Sequence, residues 1–156
     1  MNDSDSVCEV DEFGNKHWFL GGVLHRVDGP AFEYADGDVE WWLNGVLHRV
    51  GGPAIERANG NRYWYVGGEF HRVGGPAVER ANGSREWWLN GKLHRNDGPA
   101  VEFSDGSVEW FLNGERFDGV GFLLDVGVGV GEWGGFPDVV VVDGFEFNCG
   151  GFLAIE

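Results

Sequence analysis

Apolar and polar positions alternate in short stretches along the chain, and this alternation returns at intervals of 23 residues. In Trp41-Trp42-Leu43, Trp41 and Leu43 project to one face of a strand and Trp42 to the other, because successive side chains alternate. The pattern therefore predicts two ladders of side chains on opposite faces of a sheet. We expect the first ladder to form the core; its pairs are Trp18/Leu20, Trp41/Leu43, Trp64/Val66, Trp87/Leu89 and Trp110/Leu112.

The second ladder is aromatic in every unit and consists of Phe19, Trp42, Tyr65, Trp88 and Phe111. Two interpretations are open. The ladder packs against the returning strand or the C-terminal segment, or it is exposed and forms a groove for a partner protein. A row of five exposed aromatic side chains would be a very large apolar patch, which favours packing.

Two glycine turns mark each unit, as at Asp36-Gly37 and Asn44-Gly45. Such dipeptides are the preferred centres of two-residue type I′ hairpin turns, because both central residues need a positive φ. The stretch after the second turn is longer and contains Gly52-Pro53. Proline cannot donate a ladder hydrogen bond, so a bend or bulge is expected there. No window shows a sustained helical period, and the predicted fold class is all-β.

A constant period without insertions indicates identical units, each packed against its neighbours. The recurring polar motif is His-Arg-x-x-Gly-Pro-Ala followed by a Glu, and it starts at His25, His48, His71 and His94. The sequence therefore predicts an elongated array of stacked β-hairpins. Arrays of this kind usually present a surface rather than a catalytic pocket.

The units resemble MORN repeats, as the run Trp88-Leu89-Asn90-Gly91-Lys92-Leu93-His94 and the later turn Ser104-Asp105-Gly106 illustrate. The resemblance covers residues 11–117. It implies a curved single sheet used for protein contacts, dimerisation or, in some members, membrane apposition. The chain departs from the family at Gly-Pro-Ala, a variant similar to arrays met in phages and large DNA viruses. This departure argues against carrying over membrane binding.

Three segments are predicted: an acidic flank over residues 1–13, four and a half repeats over 14–118, and a C-terminal β cap or dimerisation segment over 119–156. The stretch Val139–Val142, the turn Asp143-Gly144 and the stretch Phe145–Asn148 have the pattern of a hairpin. An apolar strand such as Val139, Val140, Val141, Val142 is either internal or the seam of a homodimer, since a free edge would promote association. The dimer is the preferred interpretation.

Charge is distributed unevenly along the chain, whose formal total is −15. Between Lys16 and Arg116 the chain holds all 11 Lys and Arg against 14 acids, so the formal charge of this stretch is −3. The residues before Lys16 and after Arg116 hold the remaining 12 acids and no base. We expect repulsion from nucleic acid and anionic lipid and attraction to basic surfaces, although solubility alone would also explain an acidic surplus.

The chemistry-bearing residues follow the repeat rather than forming a separate constellation. Equivalent histidines one unit apart would stand about 10 Å from each other, too far to share a zinc ion, so neither a metal nor another cofactor is expected. A His–Glu or Arg–Glu hydrogen bond across the bend would explain the recurring motif. No His, Lys or Arg follows Arg116, which makes the C-terminal segment poor material for acid–base catalysis. The chain is predicted not to be an enzyme.

The sequence has no basic-then-apolar leader and no apolar run long enough to span a bilayer, so we expect a cytoplasmic protein, in the host cytoplasm if it is viral. Cys8 and Cys149 lie in dissimilar flanks without metal-site spacing. They are most simply free thiols in a reducing compartment.

Two functions fit these observations. The first is a non-catalytic protein–protein interaction module that binds through the second aromatic ladder. The alternative is an acidic inhibitor or nucleic-acid mimic that blocks a DNA- or RNA-handling enzyme through Asp118, Asp125, Asp138 and Asp143. Within the array Glu40, Glu86 and Glu109 share one repeat position, but His17 and Tyr63 interrupt that row. The module is the leading hypothesis, with a protein partner that has a basic surface, no direct nucleic-acid contact and no membrane.

Overall fold

The structure is a computed structural model that describes residues 6–117, 139–142 and 145–148. These residues form an all-β fold without helices, which confirms the predicted fold class. The strands of the array are β1 (Val7–Val10), β2 (Lys16–Leu20), β3 (Val23–Leu24), β4 (Phe32–Glu33), β5 (Val39–Glu40), β6 (Trp42–Leu43), β7 (Val46–Leu47), β8 (Ile55–Glu56), β9 (Arg62–Tyr63), β10 (Tyr65–Val66), β11 (Glu69–Phe70), β12 (Val78–Glu79), β13 (Arg85–Glu86), β14 (Trp88–Leu89), β15 (Lys92–Leu93), β16 (Val101–Glu102), β17 (Val108–Leu112) and β18 (Glu115–Phe117). Beyond them lie β19 (Val139–Val142) and β20 (Phe145–Asn148).

One antiparallel sheet of 12 strands runs through the array in the order β1-β2-β4-β5-β8-β9-β12-β13-β16-β17-β18, with β3 beside β2. Each unit adds two strands to this path. In the second unit, for example, Val39 of β5 lies opposite Glu33 on one side and opposite Glu56 on the other. This continuous ladder is the array of stacked hairpins that the period predicts.

A second row of short hairpins runs beside the long sheet, formed by β6–β7, β10–β11 and β14–β15. Two backbone hydrogen bonds join each hairpin to the previous unit. The N–H of Gly45 donates to the carbonyl oxygen of Leu24 at 2.9 Å, and the N–H of Arg26 donates to that of Trp42 at 3.1 Å. The same two bonds recur in the following units, so neighbouring repeats are connected in both rows.

The two turns of each unit differ in type. At Asn44-Gly45 both residues have a positive φ, 53° and 79°, as the predicted type I′ turn requires. At Asp36-Gly37 only the glycine has a positive φ, 96°. There the N–H of Gly37 donates to the carbonyl of Tyr34, and the N–H of Tyr34 donates to that of Asp38. This is a type I turn with a glycine bulge, so the type I′ prediction is wrong for the first turn of the unit.

The buried core is made of small side chains rather than of tryptophan. Ala31, Ala54, Ala77 and Ala100 are 0% exposed, and Ile55, Val78 and Val101 are the larger buried aliphatic residues. The tryptophans of the first ladder are only half-buried. The expectation that they form an enclosed core is therefore wrong. In a thin sheet the residues closest to the backbone are enclosed most easily, and large rings reach the surface.

Strand β1 lies inside the segment predicted to be an acidic flank. It pairs with β2 in antiparallel register, with Val7 opposite Phe19 and Val10 opposite Lys16. The sheet thus starts before residue 14. At the other end, the predicted hairpin of the C-terminal segment is present as β19 and β20, which pair over all four residues. Within the described residues this hairpin is a separate two-stranded sheet, and its role as a cap remains a prediction.

Candidate protein-binding surface

The guanidinium of the recurring arginine lies over the tryptophan ring of its own unit. The Cζ atom of Arg49 is 3.6 Å from the ring centroid of Trp41, a cation–π contact. Its Nη1 donates to the carbonyl oxygen of Pro53 at 2.9 Å and to Oε1 of Glu56 at 2.7 Å. Equivalent contacts are made by Arg26, Arg72 and Arg95. We call this set of contacts the arginine clamp.

The clamp explains the Gly-Pro-Ala variant. A Cβ atom at Gly52 would lie 2.9 Å from Cζ of Arg49, closer than side-chain carbons approach, so glycine leaves room for the guanidinium. The bend at the following residues turns the proline carbonyl toward the same group. The predicted Arg–Glu hydrogen bond across the bend is confirmed by the 2.7 Å contact between Arg49 and Glu56.

The histidines link one unit to the next. Nδ1 of His25 lies 2.9 Å from Oδ1 of Asn44 and accepts a hydrogen bond from the N–H of Asn44 at 3.1 Å. His48 accepts from the N–H of Gly67 at 3.1 Å. His71 and His94 make the corresponding contacts with Asn90 and Asn113. The histidine thus holds the type I′ turn of the following repeat.

A second polar link joins the other row of turns, and the sequence reasoning missed it. Oδ1 of Asp38 accepts a hydrogen bond from the N–H of Ala58 at 2.7 Å. The same link is made by Asn15, Asn61 and Ser84, each to a residue 20 positions ahead. The signal in the sequence is a short polar acceptor in that place in each unit. Both rows of turns are therefore tied to their neighbours by side chain–backbone hydrogen bonds.

The second aromatic ladder is half-buried along its whole length, at Phe19, Trp42, Tyr65, Trp88 and Phe111. Phe70 of β11 contacts one ladder ring in its own hairpin and one in the next hairpin. The ring of Phe70 lies 4.2 Å from that of Tyr65 and 5.2 Å from that of Trp88, measured between centroids. The ladder is thus neither enclosed nor fully exposed, and part of each side chain remains accessible to solvent.

A polar cluster lies beside this ladder in the second unit. Glu40 is 5% exposed, and its carboxylate accepts hydrogen bonds from Nε1 of Trp42 at 2.9 Å and Nη2 of Arg57 at 2.8 Å. The hydroxyl of Tyr34 donates to the same carboxylate at 3.3 Å. Burial, followed by the negative charge of Glu40, raises the pKa of Tyr34. The cluster is fully hydrogen-bonded and fixes the orientation of the Trp42 indole.

The predicted row of carboxylates in the array is engaged in contacts within the array. Besides Glu40, Glu86 accepts from Nε1 of Trp88 at 2.9 Å and pairs with Arg80. Glu109 pairs with Arg116 at 3.2 Å. None of the three carboxylates is left to project as an isolated charge. Tyr63 and His17 occupy the same place in the other two units.

The other predicted binding residues fall outside what the structure describes. Asp118, Asp125, Asp138 and Asp143 are not among the described residues. For Val139, Val140, Val141 and Val142 the structure gives the strand and its pairing with β20. The dimer seam proposed for this strand remains a prediction. Cys8 is a free, exposed thiol, and Cys149 lies outside the described residues.

In the described part of the chain, no group of three or more His, Cys, Asp and Glu side chains is arranged to hold a metal ion. The same residues contain no helix long and apolar enough to cross a membrane. The polar side chains that recur in every unit serve the contacts described above.

Comparison with known proteins adds no family assignment. No protein-family model matches the chain, and no curated protein matches it. The resemblance to MORN repeats therefore continues to rest on the period, the turns and the motif residues.

Proposed function

We propose that this protein is a non-catalytic, MORN-like interaction module that binds a partner protein through its second aromatic ladder. The observation that carries the proposal is the half-burial of one aromatic side chain in every unit, Phe19, Trp42, Tyr65, Trp88 and Phe111. The middle three lie in the row of short hairpins that runs beside the long sheet. Aromatic side chains that are held in place and still accessible are well suited to protein contacts, where tyrosine and tryptophan contribute most strongly.

The rigid surroundings of this ladder support the same proposal. Trp42 is fixed by Glu40, and Tyr65 and Trp88 pack on either side of Phe70. Side chains that are already ordered lose little conformational entropy on binding. Such an array can present a long, preformed binding surface without a conformational change.

The carboxylates of the array favour this function over nucleic-acid mimicry. A mimic needs charges spaced along a surface, but Glu40 is buried and Glu86 and Glu109 are paired with arginines. The acidic surplus belongs to the residues before Lys16 and after Arg116, which include 12 acids and no base. We place the module in the cytoplasm, or in the host cytoplasm if it is viral, and we assign it no enzymatic activity.

The test compares partner binding across matched variants. A partner is first captured by crosslinking in native cell extract and identified by mass spectrometry, and its affinity for purified protein is then measured. Trp42→Ala and Trp88→Ala should weaken binding strongly, whereas Val73→Thr, an exposed change at a bend, should not. Circular dichroism of each variant verifies that the array is still folded.

Ionic strength separates this function from mimicry. Binding through the aromatic ladder should change little between about 0.1 M and 1 M salt, where the Debye length falls from about 10 Å to 3 Å. A mimic should instead lose its target over that range and be displaced by duplex DNA or RNA. A partner that is insensitive to Trp42→Ala and Trp88→Ala but lost in salt would overturn the proposal.

A further inference from the structure

Among the residues that the structure describes, strand β1 has one paired edge and one open edge. The N–H of Asp11 donates to the carbonyl of Asn15 at 3.0 Å, so this pair is hydrogen-bonded. Because bonded pairs alternate along an antiparallel ladder, Glu9 and Val7 direct their backbone groups toward β2. Cys8 and Val10 then direct theirs away from β2. In the described part of the chain, β1 pairs only with β2, and these donors and acceptors face an open edge.

The open edge corresponds to a junction that is filled elsewhere in the array. Cys8 has the place in its unit that Ala31 has 23 residues later. Ala31 is 0% exposed, and its carbonyl accepts from the N–H of Trp18 at 2.8 Å. Cys8, by contrast, is exposed, and Val7 and Val10 are 63% and 64% exposed. Among the described strands, β1 therefore pairs with one neighbouring strand, whereas the equivalent segment of the next repeat has a neighbour on both sides.

The surroundings of this edge are acidic. Glu9 is exposed on β1, and Glu12 is exposed in the turn that follows. The sequence contains no Lys or Arg before Lys16, and the Lys16 ammonium is paired with Glu33 at 3.2 Å. An added strand would meet apolar side chains at Cys8 and Val10 and a carboxylate at Glu9.

We propose that the open edge of β1 binds an extended basic segment of a partner protein, which adds to the sheet as an antiparallel strand. Backbone hydrogen bonds to Cys8 and Val10 supply the attachment, and alternating apolar and basic side chains of the partner match Val10 and Glu9. Strand addition of this kind takes its affinity from the main chain and its specificity from alternate side chains. The proposal rests on the proposed interaction function, to which it adds a second binding surface and the class of partner segment that this surface would take.

The charges select a foreign segment over a second copy of this chain. Pairing β1 with its own copy would bring two acidic N-terminal regions together, and like charges placed across an interface are unfavourable. The hairpin β19–β20 is no better as an occupant, since its sequence carries Glu146 and no base. A segment rich in Lys or Arg has the complementary sign.

The experiment uses the full chain and a short, end-capped peptide of alternating Lys and Val. Binding is followed by NMR, with hydrogen exchange at individual amides. We expect slower exchange at the N–H groups of Cys8 and Val10 and weaker binding as salt is raised. A peptide with Glu in place of Lys, and a Lys–Val peptide with N-methylated amides, should both fail to bind.

Two variants test the edge itself. Val10→Pro removes a donor that faces the open edge while sparing the bonds to β2, since proline is tolerated at such edge positions. It should weaken the Lys–Val peptide about tenfold, the loss expected for one good hydrogen bond, whereas Val10→Thr should retain binding. Glu9→Lys should shift the preference to the Glu–Val peptide.

Several outcomes would overturn the proposal. They are equal binding of the N-methylated peptide, amide protection that maps elsewhere, and protection of Cys8 and Val10 in concentrated protein without peptide, which would indicate a second copy. Failure here is distinguishable from failure of the proposed function. Binding at β1 is salt-sensitive and indifferent to Trp88→Ala, whereas binding at the aromatic ladder has the opposite dependence.

Discussion

At the scale of single residues, the arginine clamp accounts for the most distinctive motif of the repeat. One guanidinium contacts an indole ring, a proline carbonyl and a glutamate. It also lies directly beside the glycine that precedes the proline. Arg49 is 31% exposed at its side chain, so the ion pair itself contributes modestly. The cation–π contact and the hydrogen bonds together fix the bend. Glycine is needed before the proline because a side chain there would collide with the guanidinium, not because the backbone needs its conformational freedom.

A first prediction tests this spatial requirement. Gly52→Ala should destabilise the protein by about 1–3 kcal/mol, as overpacked sites do, because the new Cβ would displace the anchored guanidinium of Arg49. In an Arg49→Ala background the same substitution should cost much less, since the obstacle is gone. Urea unfolding of the four proteins in this double-mutant cycle measures the coupling. Additive losses would show that the glycine is needed for another reason.

A second prediction concerns Asp11 in the first turn. Partial burial raises its pKa, but hydrogen bonds from the Asn15 side chain, from His17 and from the N–H groups of Asn15 and Phe13 outweigh this and lower it from 3.8 to about 2. The stabilising contribution is therefore complete above the unfolded value and is lost as the pH falls through the folded value. We expect the turn between β1 and β2 to loosen between about pH 4 and pH 2.

NMR titration of the Asp11 carboxyl group, with hydrogen exchange in β1, measures this effect. Asn15→Ala removes one of the hydrogen bonds and should raise the pKa of Asp11 toward its ordinary value. A carboxyl group that titrates near 3.8 in the unmodified protein would contradict the prediction.

At the scale of elements, the sequence predicts the strands and hairpins well because period and turn chemistry are local signals. The hairpin of β19 and β20 lies where Asp143-Gly144 places it. The distinction between the two turns was missed, because Asp-Gly and Asn-Gly suit either type. The geometry differs because the Asp36 carboxylate accepts from the N–H of Asp38 and so supports a type I turn.

The first tryptophan ladder shows where sequence reasoning reaches its limit. Alternation places Trp41 on one face of the strand but does not tell how much of the ring is enclosed. The enclosed fraction of the ring depends on Arg49, whose guanidinium lies over it, and on Ala54, whose carbonyl oxygen accepts from the N–H of Trp41. Both residues come from the returning stretch and not from the strand itself. The constant spacing of eight residues between each tryptophan and its arginine is the signal that could have suggested the stacking.

A third prediction uses the type I′ turns. Gly67 has φ 62°, close to the 53° and 50° of the equivalent Asn44 and Asn90. Gly67→Asn should therefore fit without strain and stabilise the protein by about 0.4–1 kcal/mol, chiefly by restricting the unfolded chain. The carboxamide should also reach Nδ1 of His48, as Asn90 reaches His71. Thermal unfolding measures the gain.

Two variants control for this gain. Gly67→Ala lacks the carboxamide and adopts a positive φ less readily, so it should destabilise the turn. In a His48→Ala background, Gly67→Asn should keep only part of its benefit. If Gly67→Asn itself is less stable than the unmodified protein, the residues around this turn require glycine, and the prediction is wrong.

At the scale of the whole molecule, the structure is a series of junctions between adjacent units. The polar links join residues 19 or 20 positions apart, and the contacts of the arginine clamp join residues at most eight apart, so no contact of these kinds skips a repeat. Stability in such an array is close to a sum over units and their interfaces. The open edge at β1 lies at the end of the long sheet, whereas Trp42, Tyr65 and Trp88 of the aromatic ladder lie in the row of short hairpins beside it. We therefore expect binding at one of these proposed surfaces to leave the other unchanged.

A final prediction follows from this one-dimensional order. Deleting residues 50–72 removes one complete period and joins Arg49 to Val73, which restores the motif His-Arg-x-x-Gly-Pro-Ala. Every class of contact can form again, so the shortened protein should fold, retain its β-type circular dichroism and melt cooperatively at a lower temperature because one interface is missing.

Deleting residues 50–71 removes one residue fewer and is the matched control. It inserts a second arginine into the bend and shifts the following strands by one position, which exchanges their two faces. The control should therefore unfold or aggregate. If both deletions fold equally well, or if the complete-period deletion fails, the repeats are not independent units and the array model of this protein is wrong.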